Sequence, residues 1–198
     1  MSDFAVGYIV GTLFGDGYLN EYHGNDGRSN HYTIGLTVGT PSFAKQFASC
    51  LEKVLEKKTT QFVQPPSSRI HMLHGKIVHA RKPRYNVKAR SKAWFYRFQN
   101  IKTEVLKGAK FDTEFKRGFV KGFFDSDGCL THDRQVNRPR LFVYNMNQKL
   151  LGIIREMIEE LVGAKVKMRT YRHRVPFLDV SMTDVNNVVE FFGLQSKR

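Results

Sequence analysis

Apolar residues recur along this chain at two different periods, and stretches of the two periods alternate. Phe43, Phe47, Leu51 and Leu55 stand one helical turn apart, as do Leu150, Ile154, Ile158 and Val162. Each set predicts an amphipathic helix with a single face toward a core. Thr40-Pro41 precedes the first set and Asn147 the second; threonine and asparagine cap helix N-termini, and proline suits the first helical position. Other stretches read as strands: HYTIGLTV from His31, RYNVKAR from Arg84, RLFVYN from Arg140 and FLDVSM from Phe177. In RYNVKAR, Arg84, Asn86, Lys88 and Arg90 alternate with Tyr85, Val87 and Ala89, which turns one face toward helices and leaves the other polar and basic. Lys165, Lys167 and Arg169 alternate with Val166 and Met168 in the same way. Trp94, Phe98 and Ile101 follow one strand, and Val185, Val189 and Phe192 another, each at helical spacing. Trp94, Phe95 and Phe98 are therefore read as helix core and not as a platform for bases.

The resulting order is helix, strands, helix, strands, helix, written twice. Residues 5–19 (AVGYIVGTLFGDGYL) and 116–130 (KRGFVKGFFDSDGCL) align at an offset of 111 and share Gly7/Gly118, Gly11/Gly122, Gly17/Gly128, Asp16/Asp127 and Leu19/Leu130. The following helices align at an offset of 107 and the last ones at 91, so the first copy carries the longer loops, most of the excess falling between Thr59 and Arg84. That excess contains Gly75-Lys76 between two apolar-containing runs, the pattern of a hairpin. A repeat of half the chain implies two subdomains, 1–108 and 109–198, around a pseudo-two-fold axis.

Gly7, Gly11 and Gly15 form one stripe along the first helix, and Gly118, Gly122 and Ser126 repeat it. Glycine costs about 1 kcal/mol relative to alanine inside a helix, so three in two turns call for a close contact between backbones. Packing the two stripes together places Asp16 and Asp127 side by side at helix C-termini, where carboxylates repel each other and oppose the helix dipole. Hard divalent cations relieve that repulsion, because Mg²⁺ takes oxygen ligands and bridges carboxylate to phosphate. A single Asp-Gly, taken alone, would be read only as a turn.

Composition narrows the partner. The 198 residues hold 32 lysines and arginines against 18 aspartates and glutamates, a net charge of +14. Residues 61–110 carry twelve of those cations and one acid, Glu104. A basic excess by itself also serves solubility, but basic strand faces repeated in both halves point to nucleic acid, since a β-ribbon fits the major groove. No apolar run reaches the length of a membrane span, and the N-terminus lacks the charged flank and cleavage site of a signal peptide; an intracellular protein is expected. Cys50 and Cys129 are too few and too far apart for a disulfide scaffold or a cysteine zinc site. His71, His74 and His79 match no zinc spacing and are read as hairpin residues.

IVGTLFGDG (Ile9 to Gly17) and VKGFFDSDG (Val120 to Gly128) resemble the two signature helices of the LAGLIDADG homing endonucleases, specifically the single-chain, two-motif members. The resemblance implies an α+β fold of tandem αββαββα repeats, with two antiparallel, saddle-shaped sheets along a long double-stranded DNA target and the motif helices at the interface. It makes Asp16 and Asp127 the catalytic metal ligands, with carbonyl oxygens of Gly15 and Ser126 as additional ligands. It makes Gly7, Gly11, Gly118 and Gly122 the helix-interface residues. It further implies a double-strand break with short 3′ overhangs, Mg²⁺ or Mn²⁺ as cofactor, Ca²⁺ supporting binding without cleavage, and a monomer needing no protein partner. The DNA-contacting set is then Arg69, Lys76, Arg81, Lys82, Arg84, Asn86, Lys88 and Arg90 in the first half. In the second half it is Arg138, Arg140, Lys165, Lys167, Arg169, Arg172 and Arg174. Asp125 falls inside the second motif where the first has Phe14, and it is read as a structural residue. One departure stands out. Family members often carry a lysine just after the first long strand of each half; here those positions are Val38 and Gly39, and Asn145 and Met146. Lys45, Lys149 or a basic strand residue are the candidates to replace it, and an intron-splicing maturase or a cleavage-silent DNA-binding relative is the alternative function.

Overall fold

The computed structural model describes residues 3–23, 30–66, 70–73, 76–79, 82–135, 137–170 and 175–195, with the backbone alone for 70–73 and 76–79. The first half runs α1 (Asp3–Phe14), β1 (Gly17–His23), β2 (Asn30–Val38), α2 (Pro41–Leu55), β3 (Thr60–Gln64), β4 (Ile70–Leu73), β5 (Lys76–His79), β6 (Arg84–Arg90) and α3 (Lys92–Lys107). The second runs α4 (Thr113–Asp127), β7 (Gly128–Asp133), β8 (Arg138–Tyr144), α5 (Gln148–Val162), β9 (Val166–Arg169), β10 (Phe177–Val180) and α6 (Val185–Phe192). Two four-stranded antiparallel sheets result, ordered β1-β2-β6-β3 and β7-β8-β10-β9. With the six helices, this is the mixed α/β architecture expected from the repeat. The surplus of the first half includes the β4–β5 hairpin, paired from Ile70↔His79 to Leu73↔Lys76; Lys76 thus begins a strand instead of sitting in the turn.

The helical stripes are buried as their spacing demands. Phe43, Phe47 and Leu51 of α2, and Leu150, Ile154 and Ile158 of α5, join one core that also takes in Phe98, Phe192 and the inner faces of both sheets. Asn147 caps α5 by accepting from the Leu150 N–H at 3.1 Å. Thr40 opens α2 as predicted, yet its side chain makes no capping bond. Ser91 caps α3, and Gly108 ends it in the left-handed conformation, which glycine adopts without strain.

The centre of the molecule is the contact of α1 with α4. A Cβ on Gly7 would run into the Phe115 carbonyl, on Gly11 into that of Phe119, on Gly118 into that of Phe4, and on Gly122 into that of Tyr8. Each glycine therefore faces main chain of the opposite helix, and the two stripes interlock in register. Gly15 meets Ser126 side to side in the same way. The equivalence ends there. α1 stops at Phe14, where the Gly15 N–H bonds back to the Thr12 carbonyl at 3.0 Å, whereas α4 continues to Asp127. In α4 the Ser126 hydroxyl donates to the Gly122 carbonyl at 3.2 Å inside the last turn; Gly15 has no such group to hold a further turn.

Candidate active site and nucleic-acid face

Interlocked stripes fix where the two aspartates stand. Asp16 follows Gly15 on an exposed turn, and the Asp127 carboxyl carbon lies 3.5 Å from where a Cβ on Gly15 would be. The Asp127 carboxylate thus lies against the residue preceding Asp16, across the seam between the halves. Asp127 accepts a hydrogen bond from the Asn145 amide at 2.9 Å. Asn145 is itself held: its side-chain oxygen accepts from the Asn147 N–H at 2.9 Å, and its own N–H donates to the Pro176 carbonyl. Asn145 occupies one of the positions where the resemblance leads one to look for lysine. Its role escaped the sequence reading because its partner lies 18 residues away on another element.

Asp16 opens on a cleft lined by Thr37, Val38, Gly39, Thr40, Arg84 and Asp125. Arg84 is the basic strand residue that the fold brings to Asp16; Lys45 does not line that cleft. Behind it, the Lys102 ammonium on α3 donates to the Leu13 carbonyl at 2.7 Å and lies over the Phe14 ring. A cation at that point offsets the negative end of the α1 dipole beside Asp16. Burial lowers the Lys102 pKa from its ordinary value.

Asp125 is committed elsewhere. It accepts from the Tyr8 hydroxyl at 2.7 Å, a bond that crosses the α1–α4 seam, and pairs with Lys121 at 2.6 Å. Burial pushes the Tyr8 hydroxyl far above its ordinary range, with the Asp125 charge adding to the effect. A half-buried carboxylate with both partners supplied fits the structural reading of that residue.

The outer sheet faces are basic where alternation required it. Arg84 and Arg90 are exposed, Asn86 and Lys88 half-buried, and Val87 and Ala89 face the core. Lys165, Lys167, Arg169, Arg138 and Lys82 are also exposed. Two arginines are less free than the sequence suggested. Arg140 pairs with Asp133 and Asp179 at 3.4 Å each, and Arg169 with Asp179 at 2.9 Å. Arg69, Arg81, Arg172 and Arg174 lie outside the described residues, as does His74, and Lys76 is placed by its backbone alone.

The donor set suits a hard cation. Two carboxylates, one on the turn after α1 and one at the end of α4, offer oxygen only, and among the described residues no group of three or more His, Cys, Asp or Glu forms a closed metal cage. Such a set matches Mg²⁺, which binds through one or two carboxylates and completes its octahedron with water and phosphate.

Comparison with known proteins fits this geometry. Residues 114–193 match the family model of the LAGLIDADG-like domain. The whole chain has the LAGLIDADG fold of the homing endonuclease I-DmoI: the structure of I-DmoI in complex with DNA and Mn superposes with a TM-score of 0.68 at 21% identity, covering 97% of each chain. I-DmoI has also been solved with DNA and Ca, and a single-substitution variant of it with its target DNA in the presence of Mg. Full-length DUF199/WhiA from Thermatoga maritima shares the fold at a TM-score of 0.62 and 14% identity, over 98% of this chain and 57% of that one. Two uncharacterized proteins of Methanocaldococcus jannaschii are 25% identical over 160 residues and 24% over 156. Each alignment covers 79% of this chain and about half of the relative, 54% and 48%. The chain therefore spans about half the length of the curated relatives it matches.

Proposed function

We propose that this LAGLIDADG protein is a sequence-specific, divalent-metal-dependent endonuclease that hydrolyses one phosphodiester on each strand of a double-stranded DNA target, leaving short 3′ overhangs. The observation that carries the reading is the apposition of the Asp127 carboxylate to the Gly15-Asp16 turn. Asp16 and Asp127, with carbonyl oxygens of Gly15 and Ser126, would hold the ions. Bound there, Mg²⁺ or Mn²⁺ supplies Lewis-acid stabilisation of the attacking and leaving oxygens. The chain's own residues do the rest. Asn145 orients one oxygen of Asp127, Arg84 opposes phosphate charge beside Asp16, and Lys102 steadies the end of α1. Lys88, Arg90, Arg138, Lys165 and Lys167 meet backbone phosphates, and a monomer suffices because the halves share one chain.

A second reading, a cleavage-silent DNA-binding protein or an intron-splicing maturase, draws on Val38, Gly39 and Met146, which offer no proton-transfer group where the family often has lysine. One experiment separates the two. The protein is incubated with a randomised duplex library and Mg²⁺, and the new ends are sequenced. Discrete ends with 3′ overhangs, lost in Asp16→Asn and Asp127→Asn while binding in Ca²⁺ is kept, are expected. Selective binding without ends in either metal overturns the nuclease reading.

A further inference from the structure

The two sheets are pseudo-symmetric in backbone and opposite in chemistry at their inner ends. Gly17 pairs with Leu36 in one sheet and Gly128 with Val143 in the other, so Leu36 and Val143 are equivalent. Thr37 then corresponds to Tyr144, and Gly35 to Phe142. Leu36 pairs with Val87 and Val143 with Leu178, so Asn86 corresponds to Phe177 and Arg84 to Val175. In the first half this patch is polar apart from the Tyr18 ring, which covers Gly35: the Thr37 hydroxyl donates to the Asn86 carbonyl oxygen at 2.8 Å, with Arg84 beside them. In the second half the same positions hold three rings. Tyr144 and Phe177 lie 5.5 Å apart between centroids, Phe142 and Phe177 5.7 Å.

These rings do not belong to the core. Leu141, Val143 and Leu178 fill it from the same strands, while Tyr144 is 39% exposed and Val175 41%. Cross-strand ring contacts stabilise a sheet modestly, yet an apolar patch inside a basic ligand-facing surface also exposes area that water solvates poorly. Its neighbours name the occupant. Arg138, Lys165 and Lys167 are exposed on the same sheet, and Tyr144 directly precedes the asparagine that holds Asp127. The ligand is therefore a polyanion that reaches the seam, and it must offer apolar groups there. Among base edges in the major groove, the thymine C5-methyl is the apolar one.

We propose that Phe142, Tyr144 and Phe177 read thymine methyl groups in the half of the DNA target that the second sheet covers, close to the cut, while the first half reads its bases there by hydrogen bonds through Thr37 and Asn86. This rests on the reading of the protein as a sequence-specific DNA-binding enzyme and names the chemistry of its asymmetric target. A preferred duplex is selected by binding in Ca²⁺. The half under the second sheet is identified by photo-cross-linking from Cys129, which is exposed, whereas Cys50 is buried. Thymines are then replaced by deoxyuridine, one half at a time. Binding should weaken about threefold to fivefold per methyl removed in the second half and stay within twofold in the first. Tyr144→Thr with Phe177→Asn should abolish the difference between thymine and uracil. A preferred duplex indifferent to methyl removal, or without thymine under the second sheet, overturns this inference alone; no preferred duplex at all overturns the reading beneath it as well. Because uracil changes the DNA and leaves the fold untouched, a purely structural role for the rings predicts no effect.

Discussion

Replacing Gly11 with alanine tests the seam directly. Alanine is the better helix former by about 1 kcal/mol, so on propensity alone the variant gains stability. The structure predicts the reverse. An alanine Cβ would sit 2.9 Å from both the Phe119 carbonyl carbon and the Phe123 nitrogen, and closer still to the Phe119 carbonyl oxygen. These are backbone atoms that no rotamer change can move. Restoring ordinary contact at 3.4 Å with that oxygen requires α1 and α4 to part by more than about 1 Å. Overpacking of this kind costs about 1–3 kcal/mol, and a clash with main chain belongs at the upper end. The propensity gain offsets part of it, leaving a net loss of about 2 kcal/mol. For a domain of this size that is a fall in Tm of about 4–8 °C, read by differential scanning calorimetry. The displacement also moves Asp16 relative to Asp127, and a shift of that size costs cleavage on the order of a hundredfold. Gly152 in α5 is the control: nothing lies within 4 Å of a Cβ placed there, so Gly152→Ala should stabilise by up to about 1 kcal/mol. A Gly11→Ala protein as stable as the wild type would refute the interlocked backbones.

Other expectations follow from single contacts. Asn145→Ala removes a donor from Asp127; hydrogen bonds to charged groups are worth about 1.5–3 kcal/mol, so one strand should be cut about tenfold or more slowly and nicked product should accumulate on a gel. Equal slowing of both strands would show that Asn145 acts on the fold and not on one site. Glu52 accepts from the Thr59 N–H at 3.0 Å and from its hydroxyl at 2.9 Å, and these bonds, the backbone one first, lower its pKa below the ordinary carboxylate range. Its contribution is full above the ordinary carboxylate pKa and lost as pH falls through the lowered value. The Tm gap between wild type and Glu52→Gln should therefore be present at neutral pH and close in acid; a gap independent of pH contradicts this. DNA affinity should fall with salt at a log–log slope of about −0.9 per phosphate neutralised, and a slope shallower than about −2 would be too few phosphates for two basic faces.

The sequence exposed most of what repeats. Four-residue glycine spacing named the seam, apolar stripes named α2 and α5, and alternation named the basic faces, because each signal lies within one element. What it hid depends on partners far apart in the chain. Asp125 is legible as a structural residue from its mismatch with Phe14, but its bond to Tyr8, 117 residues away, is not. Lys102 reaches Leu13 across 89 residues. Arg140 and Arg169 looked like free cations until the fold set Asp179 between them. The early end of α1 is a smaller miss with a local cause: Gly15 stands where Ser126 extends α4 by one bond.

A seam made of glycines facing carbonyl groups has an architectural consequence. Its recognition code is nearly blind to side chains, since Gly7, Gly11, Gly118 and Gly122 meet main chain of Phe115, Phe119, Phe4 and Tyr8. Either half can diverge, as the polar and aromatic inner patches already have, without renegotiating the joint. Grafting one half onto the counterpart from a different molecule should accordingly require little beyond keeping the four glycines and the Tyr8–Asp125 clasp.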